Sequence, residues 1–279
     1  MSAKAKKAFF SSLLYLFLIA LALICVVPFF LMIINATRSG NEIMTGFSLL
    51  PGSSIAENWK VVSSNLDIFR GMRNSLFIAV CSTVLCSYFS ALTAYGLAFY
   101  KFPGSNAIFI TMQVFMMVPA QLGLLGFYEL CNRMGLVNSY IPLIIPAIAS
   151  PATVFFLRQY ILSVLPKAVL EAPRIDGASE LLIFHRIVLP IMSPGIATMA
   201  IGTFIGSWNS YLLPLVLLNK QTKFTLPVMI GSLQSVRDIT ADIGATYLAV
   251  AISVIPILIV FCFCSKYIIS SISAGSVKE

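Results

Sequence analysis

Six apolar runs organise the chain, at about Phe9 to Ile34, Leu76 to Tyr100, Ala107 to Phe127, Tyr140 to Phe156, Ile191 to Leu218 and Leu248 to Cys264. Five approach or exceed the roughly 17 to 25 residues that a helix needs to cross about 30 Å of hydrocarbon, and the fourth reaches that length when its polar ends are counted. The runs are continuous, whereas a membrane barrel would show alternating segments of about 10 residues. They therefore predict six spanning helices and an all-α polytopic membrane protein. Residues 1–279 read as one transmembrane domain, with an N-terminal span at about 9–34 and a core at about 72–268.

Composition supports the same class. Of 279 residues 59% are hydrophobic and 10% charged, and the mean hydropathy is +0.95, whereas a soluble domain carries about 25% charged residues. The formal net charge is +8, but no basic stripe lies beside aromatic stacking positions, which argues against a nucleic-acid partner. Positive charge instead sets topology. Lys4, Lys6, Lys7, Lys101, Arg158, Lys167, Arg174, Arg186, Lys266 and Lys278 fall on one side of the six-span map. Arg38, Lys60, Arg70, Arg73, Arg133, Lys220, Lys223 and Arg237 fall on the other, so the balance is 10 to 8. With the N-terminal lysine cluster, this predicts that both termini face the cytoplasm. The first run, at about 26 residues, exceeds the 7 to 15 of a cleavable signal core and reads as a retained anchor.

The six cysteines form no CxxC pair, and His185 is the single histidine, so no metal cluster is expected. The outer segment from Asn35 to Asn74, with Trp59 and Phe69, predicts short helices or turns at the membrane surface. Small and hydroxylated residues along the second run predict a helix with neighbours on several sides. Gln113, Pro119 and Gln121 in the third run, and Pro142, Pro146 and Pro151 in the fourth, predict helices that line a cavity or move. Gly202 and Gly206 have the spacing of a close helix crossing. The fifth run is too long for one simple span, which predicts tilt, kinking at Pro214 or an extended outer turn.

The longest inner loop, at about 162–190, has a different pattern. Lys167 to Ala172 predicts a short helix after Pro166, and Asp176 is placed to cap a second one through Ala178 or Ser179. Leu181, Phe184, Ile187 and Val188 then give that helix an apolar face. Gly177 predicts a sharp turn or close approach, and Pro190 closes the element.

Glu171-Ala172-Pro173, Asp176-Gly177-Ala178, Phe184, Ile187, Leu189-Pro190 and Pro194 resemble the EAA loop of ATP-binding cassette importer permeases. The similarity is to the binding-protein-dependent sugar branch, which includes the smaller membrane subunit of the maltose transporter. Leu136-Val137-Asn138, Phe156 to Gln159, Leu165-Pro166 and Trp208-Asn209 extend it over most of the chain, and Pro173 departs from the usual alanine. The resemblance implies a coupling helix between spans four and five that sits in a cleft of an ATPase subunit. Glu171, Ala172, Asp176, Gly177, Ala178, Leu189 and Pro190 would belong to that loop, with Leu181 and Phe184 as its buried apolar contacts. It also implies a second homologous permease chain, a dimer of ATPase subunits that hold ATP and Mg2+, and an external solute-binding protein.

This chain has no phosphate-binding G-x-x-x-x-G-K-[ST] loop and no catalytic motif, so it reads as a transport subunit, not an enzyme. Uncharged Gln113, Gln121, Ser207 and Asn209, with aromatic Phe204, Trp208 and Tyr211, form a candidate path for a mono- or oligosaccharide, which needs hydrogen bonds without an ionic partner. A secondary transporter would instead carry ion-coupling charges at mid-membrane, where the map places none.

Overall fold

A computed structural model describes residues 3–236 and 242–276. Arg237 and Lys278, named above among the loop and terminal charges, lie outside them. The helices are α1 (Ala3–Ala36), α2 (Gly40–Thr45), α3 (Ile55–Asn65), α4 (Ile68–Phe99), α5 (Ser105–Met116), α6 (Leu124–Arg133), α7 (Ile141–Ile144) and α8 (Pro151–Val164). They continue as α9 (Ala168–Ile175), α10 (Glu180–Ile183), α11 (Leu189–Trp208), α12 (Leu212–Leu217), α13 (Leu226–Val236) and α14 (Ile243–Ser276). Among the described residues, five helical stretches are long and apolar enough to cross a membrane: Phe9–Ala36, Ile68–Phe99, Ile141–Val164, Glu180–Trp208 and Ile243–Phe263. A bent pair raises the number to six if it forms one span. The protein is an all-α polytopic membrane protein.

Two compact units divide the chain. The first holds residues up to 68 together with 230–255. In it, leucines and phenylalanines of α1 are exposed all round from Phe9 to Phe30, a surface that only lipid or another apolar partner satisfies. Beyond α1 the segment from Asn35 does form short helices. Ser39 and Glu42 make a reciprocal capping box at α2, and the Ser39 amide holds the Glu42 carboxyl below its ordinary value. Buried Asn58 donates to the carbonyls of Ala36 and Arg38 at 2.9 and 3.0 Å. A Cβ on Gly244 would fall 2.2 Å from the Arg38 carbonyl oxygen, so this backbone approach requires glycine.

The second unit, residues 69–229 and the chain from 256 on, carries the sites developed below. Its core brings Ala91, Ala94 and Tyr95 of α4 against Val154, Leu157 and Ile161 of α8, Leu170 of α9, Ile183, Phe184, Val188 and Met192. Arg158 on α8 lies 4.2 Å from the Phe109 ring of α5 and donates to the Leu97 carbonyl at 3.2 Å, joining three helices. At the other end of α4, Asn74 donates to the carbonyls of Thr222 and Phe224.

Two sequence expectations are corrected, for the third run and for Gly202 and Gly206, while the fourth and fifth runs break as their prolines and length allow. The run Ala107 to Phe127 is not one straight helix: α5 and the segment Gln121–Arg133 are bent by 87°, because Pro119 sits in extended backbone and cannot donate an amide to α5. The fourth span is interrupted, with a 3-10 turn at Ile145–Ile148 and Pro151 restarting the helix after extended Ser150. The fifth ends at Asn209, whose amide donates to the Ile205 carbonyl; Pro214 lies beyond, inside α12. Gly202 and Gly206 mark no close crossing among the described residues, since a Cβ on either would meet nothing within 4 Å. The close approach on α11 is at Gly195, where a Cβ would meet the Tyr160 ring at 2.7 Å.

Candidate functional site

The inner loop folds as a helix, a tight turn and a second helix. Leu165 and Pro166 end α8, and α9 then runs to Ile175 with Pro173 inside it. Pro173 does not end the helix early. Its carbonyl instead receives the Ala178 amide at 3.0 Å, while the Gly177 amide donates to the Arg174 carbonyl at 3.1 Å. Those two bonds, with Gly177 at φ 77°, make a Schellman stop. Gly177 serves torsion here and not space, because a Cβ would meet nothing within 4 Å. Asp176 is the C-cap of the first helix and does not cap the second. Ser179 does, accepting from the Leu182 amide.

Pro190 does not close the second helix either. The Leu189 amide donates five residues back to the Phe184 carbonyl, a widened turn over Phe184–Val188 that leads directly into α11. A proline without an amide is accommodated where the ladder has already slipped by one residue. The coupling loop of the sequence reading is thus continuous with a candidate span.

The two faces of this segment differ. Leu170, Ile183, Phe184 and Val188 are buried. Phe184, 0% exposed, lies 6.0 Å from the Tyr88 ring and 5.9 Å from the Tyr95 ring. Its apolar surface therefore anchors the loop to α4 in this chain and is not offered to a partner, which corrects the role expected for it. The outer face shows Ile175 at 85% and Leu181 at 60% exposure, beside exposed Glu171, Ala172, Asp176 and Pro190, with Ala178 and Leu189 half-buried. Arg174 Nε donates to Glu180 Oε1 at 2.8 Å across the turn. Glu180 Oε2 accepts from the Tyr95 hydroxyl at 2.9 Å. Side-chain exposures of 34% and 43% limit that ion pair to about 1 kcal/mol or less, so burial holds the loop in place and the pair sets its angle. Sequence reasoning missed Arg174, Ile175, Ser179, Glu180, Tyr88 and Tyr95. Ser179 before an apolar run and the seven-residue spacing of the tyrosines were available signals.

The candidate solute residues separate into four groups. Gln121 and Tyr211 meet in a groove of about 770 Å³, lined also by Phe127, Pro146, Ser210 and Leu213. Ser207 lines a neighbouring cavity of about 280 Å³ with Ser75, Ser82 and Thr203; the two share Ser210 and Leu213. Phe204 and Trp208 are buried and stacked on each other, 6.0 Å between centroids, so neither presents an open ring face. Gln113 and Asn209 are exposed and line neither space.

The family model described as the binding-protein-dependent transport system inner membrane component matches residues 84–273. The arabinooligosaccharides transport system permease protein AraQ of Bacillus subtilis is 35% identical over 272 residues, covering 95% of each chain. The diacetylchitobiose uptake system permease protein NgcG of Streptomyces coelicolor is 31% identical over 271 residues, covering 96% of this chain and 89% of that one. A solved bacterial ABC transporter involved in alginate import has a chain of the same fold, with a TM-score of 0.76 at 22% identity, covering 96% of this chain and 99% of that one. With the helix, Schellman turn and helix at Ala168–Ile183 inside the matched region, the chain belongs to the binding-protein-dependent transport system inner membrane components, the non-catalytic permease subunits of ATP-binding cassette importers, whose ATP hydrolysis occurs on separate ATPase subunits.

Proposed function

We propose that this permease imports a neutral mono- or oligosaccharide across a bacterial inner membrane, with six spans and both termini in the cytoplasm. The loop at 162–190 docks on an ATPase dimer, a second homologous permease completes the pathway, and an external binding protein delivers the solute. The two-faced loop supports the docking reading most directly: its inner face is buried against α4 and α8, while Ile175 and Leu181 stand out beside Glu171. Apolar side chains with nothing to cover them on a polar loop suit a protein cleft. Gly177 holds the two short helices at a fixed angle, so the ATPase meets a preformed shape.

Replacing both Ile175 and Leu181 with aspartate is expected to abolish co-purification of the ATPase subunits while the chain remains in the membrane fraction. Retained co-purification would remove this face from the docking surface.

The groove supports the solute class. Its lining includes the Gln121 amide, the Ser210 hydroxyl and the Tyr211 phenol, with no charged side chain, which suits a hydroxylated and uncharged ligand. The arabinooligosaccharide and diacetylchitobiose relatives carry names consistent with that class. Ser207, Asn209 and Gln113 remain on the proposed path outside the groove, as do the buried Phe204 and Trp208. Tyr211→Ala and Gln121→Ala are each expected to lower arabinotriose uptake about tenfold, the scale of one lost buried polar contact, with ATPase docking unchanged. Uptake at the wild-type rate in both variants would place the solute elsewhere.

A further inference from the structure

Arg38, just beyond the end of α1, is a buried cation, 9% exposed. A Cβ on Gly52 would meet its Cα at 2.9 Å and its Cγ at 3.0 Å, so the stem of the side chain packs against bare backbone. Its Nη2 donates to the carbonyls of Glu42 and Gly46 at the end of α2. Its Nη1 reaches Asn35 Oδ1 only at 3.4 Å, and its Nε has no hydrogen-bond partner among the described residues. No carboxylate pairs with it among those residues. Glu42 is near enough to feel the charge, but its exposed carboxylate bonds the Ser39 amide at 2.8 Å. A buried charge is costly without a counter-ion, and carbonyl dipoles supply only part of one. Arg38 lines a cavity of about 180 Å³ with Leu31, Asn35, Ile43, Gly46 and Phe47, and no acidic side chain. That is several times the roughly 30 Å³ that a water molecule takes in the liquid. Because Asn35 Oδ1 is turned to Arg38, its Nδ2 is left as a second donor without a partner among the described residues.

We propose that this cavity binds the phosphodiester headgroup of an anionic phospholipid, with Arg38 and the Asn35 amide as donors and the acyl chains laid along α1. Depth and chemistry agree. The 28 residues of Phe9–Ala36 run about 42 Å, longer than a hydrocarbon core of roughly 30 Å and close to the 40 to 45 Å that includes the headgroups. Arg38 therefore lies at headgroup level. A guanidinium offers parallel N–H donors that match phosphate oxygens. Around it the surface is apolar: Leu31 and Ile43 line the cavity, and Met44, Phe47, Leu49 and Leu50 are 55 to 76% exposed. A soluble anion gains nothing from these side chains, whereas a lipid covers them. The backbone beneath is fixed, since Asn58 holds the Arg38 carbonyl and Gly244 approaches it closely. The cation is thus in place before the lipid arrives. Neither ATPase docking nor the solute groove enters this binding.

The test titrates the whole purified transporter in detergent with phosphatidylglycerol or phosphatidylcholine of the same acyl chains, and counts bound lipid by native mass spectrometry. The wild-type protein is expected to hold its tightest phosphatidylglycerol at least about tenfold more firmly than phosphatidylcholine, the scale of a hydrogen bond to a charged group. Arg38→Gln keeps an amide donor for the two carbonyls but no charge, and should lose that preference. Gly46→Leu leaves Arg38 in place and adds a side chain to the cavity wall. A Cβ there meets nothing within 4 Å, and φ 161° is extended backbone, so the chain should fold while the preference is lost again. An arginine that only tied α2 to α1 would lower the thermal midpoint of Arg38→Gln and leave the lipid preference unmoved. That result, or wild-type phosphatidylglycerol binding in Gly46→Leu, would overturn the proposal. Millimolar inorganic phosphate that raised the thermal midpoint as much as phosphatidylglycerol would assign the cavity to a free anion and also overturn it. Should Arg38→Gln not assemble, Gly46→Leu decides alone.

Discussion

Gly177→Val is expected to abolish solute uptake while leaving the chain inserted at normal abundance. At φ 77°, a residue with a Cβ costs roughly 1 to 2 kcal/mol, and β-branched residues are the least tolerant of this region. Valine would draw the backbone back to negative φ, and the Gly177 and Ala178 amides would then lose the Arg174 and Pro173 carbonyls. The angle between α9 and α10 is set by those two bonds, so the proposed docking face would lose its shape without disturbing the spans. Because a Cβ meets no atom within 4 Å, the effect is torsional and should be graded. Asparagine, which tolerates left-handed backbone, should retain most uptake, with alanine intermediate. Uptake assays in a deletion strain, normalised to membrane abundance, read the series. Equal loss in all three variants would show instead that the ATPase itself packs against this position.

Phe184→Ala should destabilise the assembled chain by about 3 to 5 kcal/mol, the usual range for emptying a buried aromatic site. The ring is fully buried and touches Tyr88, Tyr95 and His185. Tyr88 and Tyr95 are fixed on α4, so collapse around the vacated space would be incomplete. Leu181→Ala removes a side chain that is 60% exposed, and its effect on stability should stay within about 0.5 kcal/mol. Thermal denaturation of the detergent-solubilised complex separates the two: a marked fall in midpoint for Phe184→Ala and almost none for Leu181→Ala. Similar midpoints would mean that the loop does not depend on its inner face for anchorage.

Much of this architecture is legible in the sequence because lipid imposes one strong rule. A segment that crosses the bilayer must be long, apolar and internally hydrogen-bonded, so the runs at Phe9, Leu76 and Leu248 translate directly into α1, α4 and α14. Prolines are harder to read. Pro119 breaks a helical path by 87°, whereas Pro173 sits within α9 and Pro190 beside a widened turn that continues into α11. Which of these happens depends on where the freed carbonyl finds a donor, and the Ala178 amide that reaches Pro173 becomes visible only in three dimensions. The loop's apolar periodicity locates one face without saying what covers it. Phe184 and Leu181 look alike in the sequence, yet α4 covers one and leaves the other open. Arg174 and Glu180 face each other across a turn, a juxtaposition that neither helical nor strand periodicity encodes.

The continuity from Glu180 to Trp208 has a mechanical consequence. Twenty-nine residues at 1.5 Å each make a shaft on the order of 44 Å long, with the proposed docking end at Glu180 and the neighbourhood of Ser207, Asn209 and Tyr211 at the other. Pivoting that shaft by about 5° sweeps its far tip through roughly 4 Å, near the width of a sugar ring, with no helix unwinding. The loosened turn at Phe184–Val188 lies close to the docking end, where a little give changes the pivot angle with the least loss of throw.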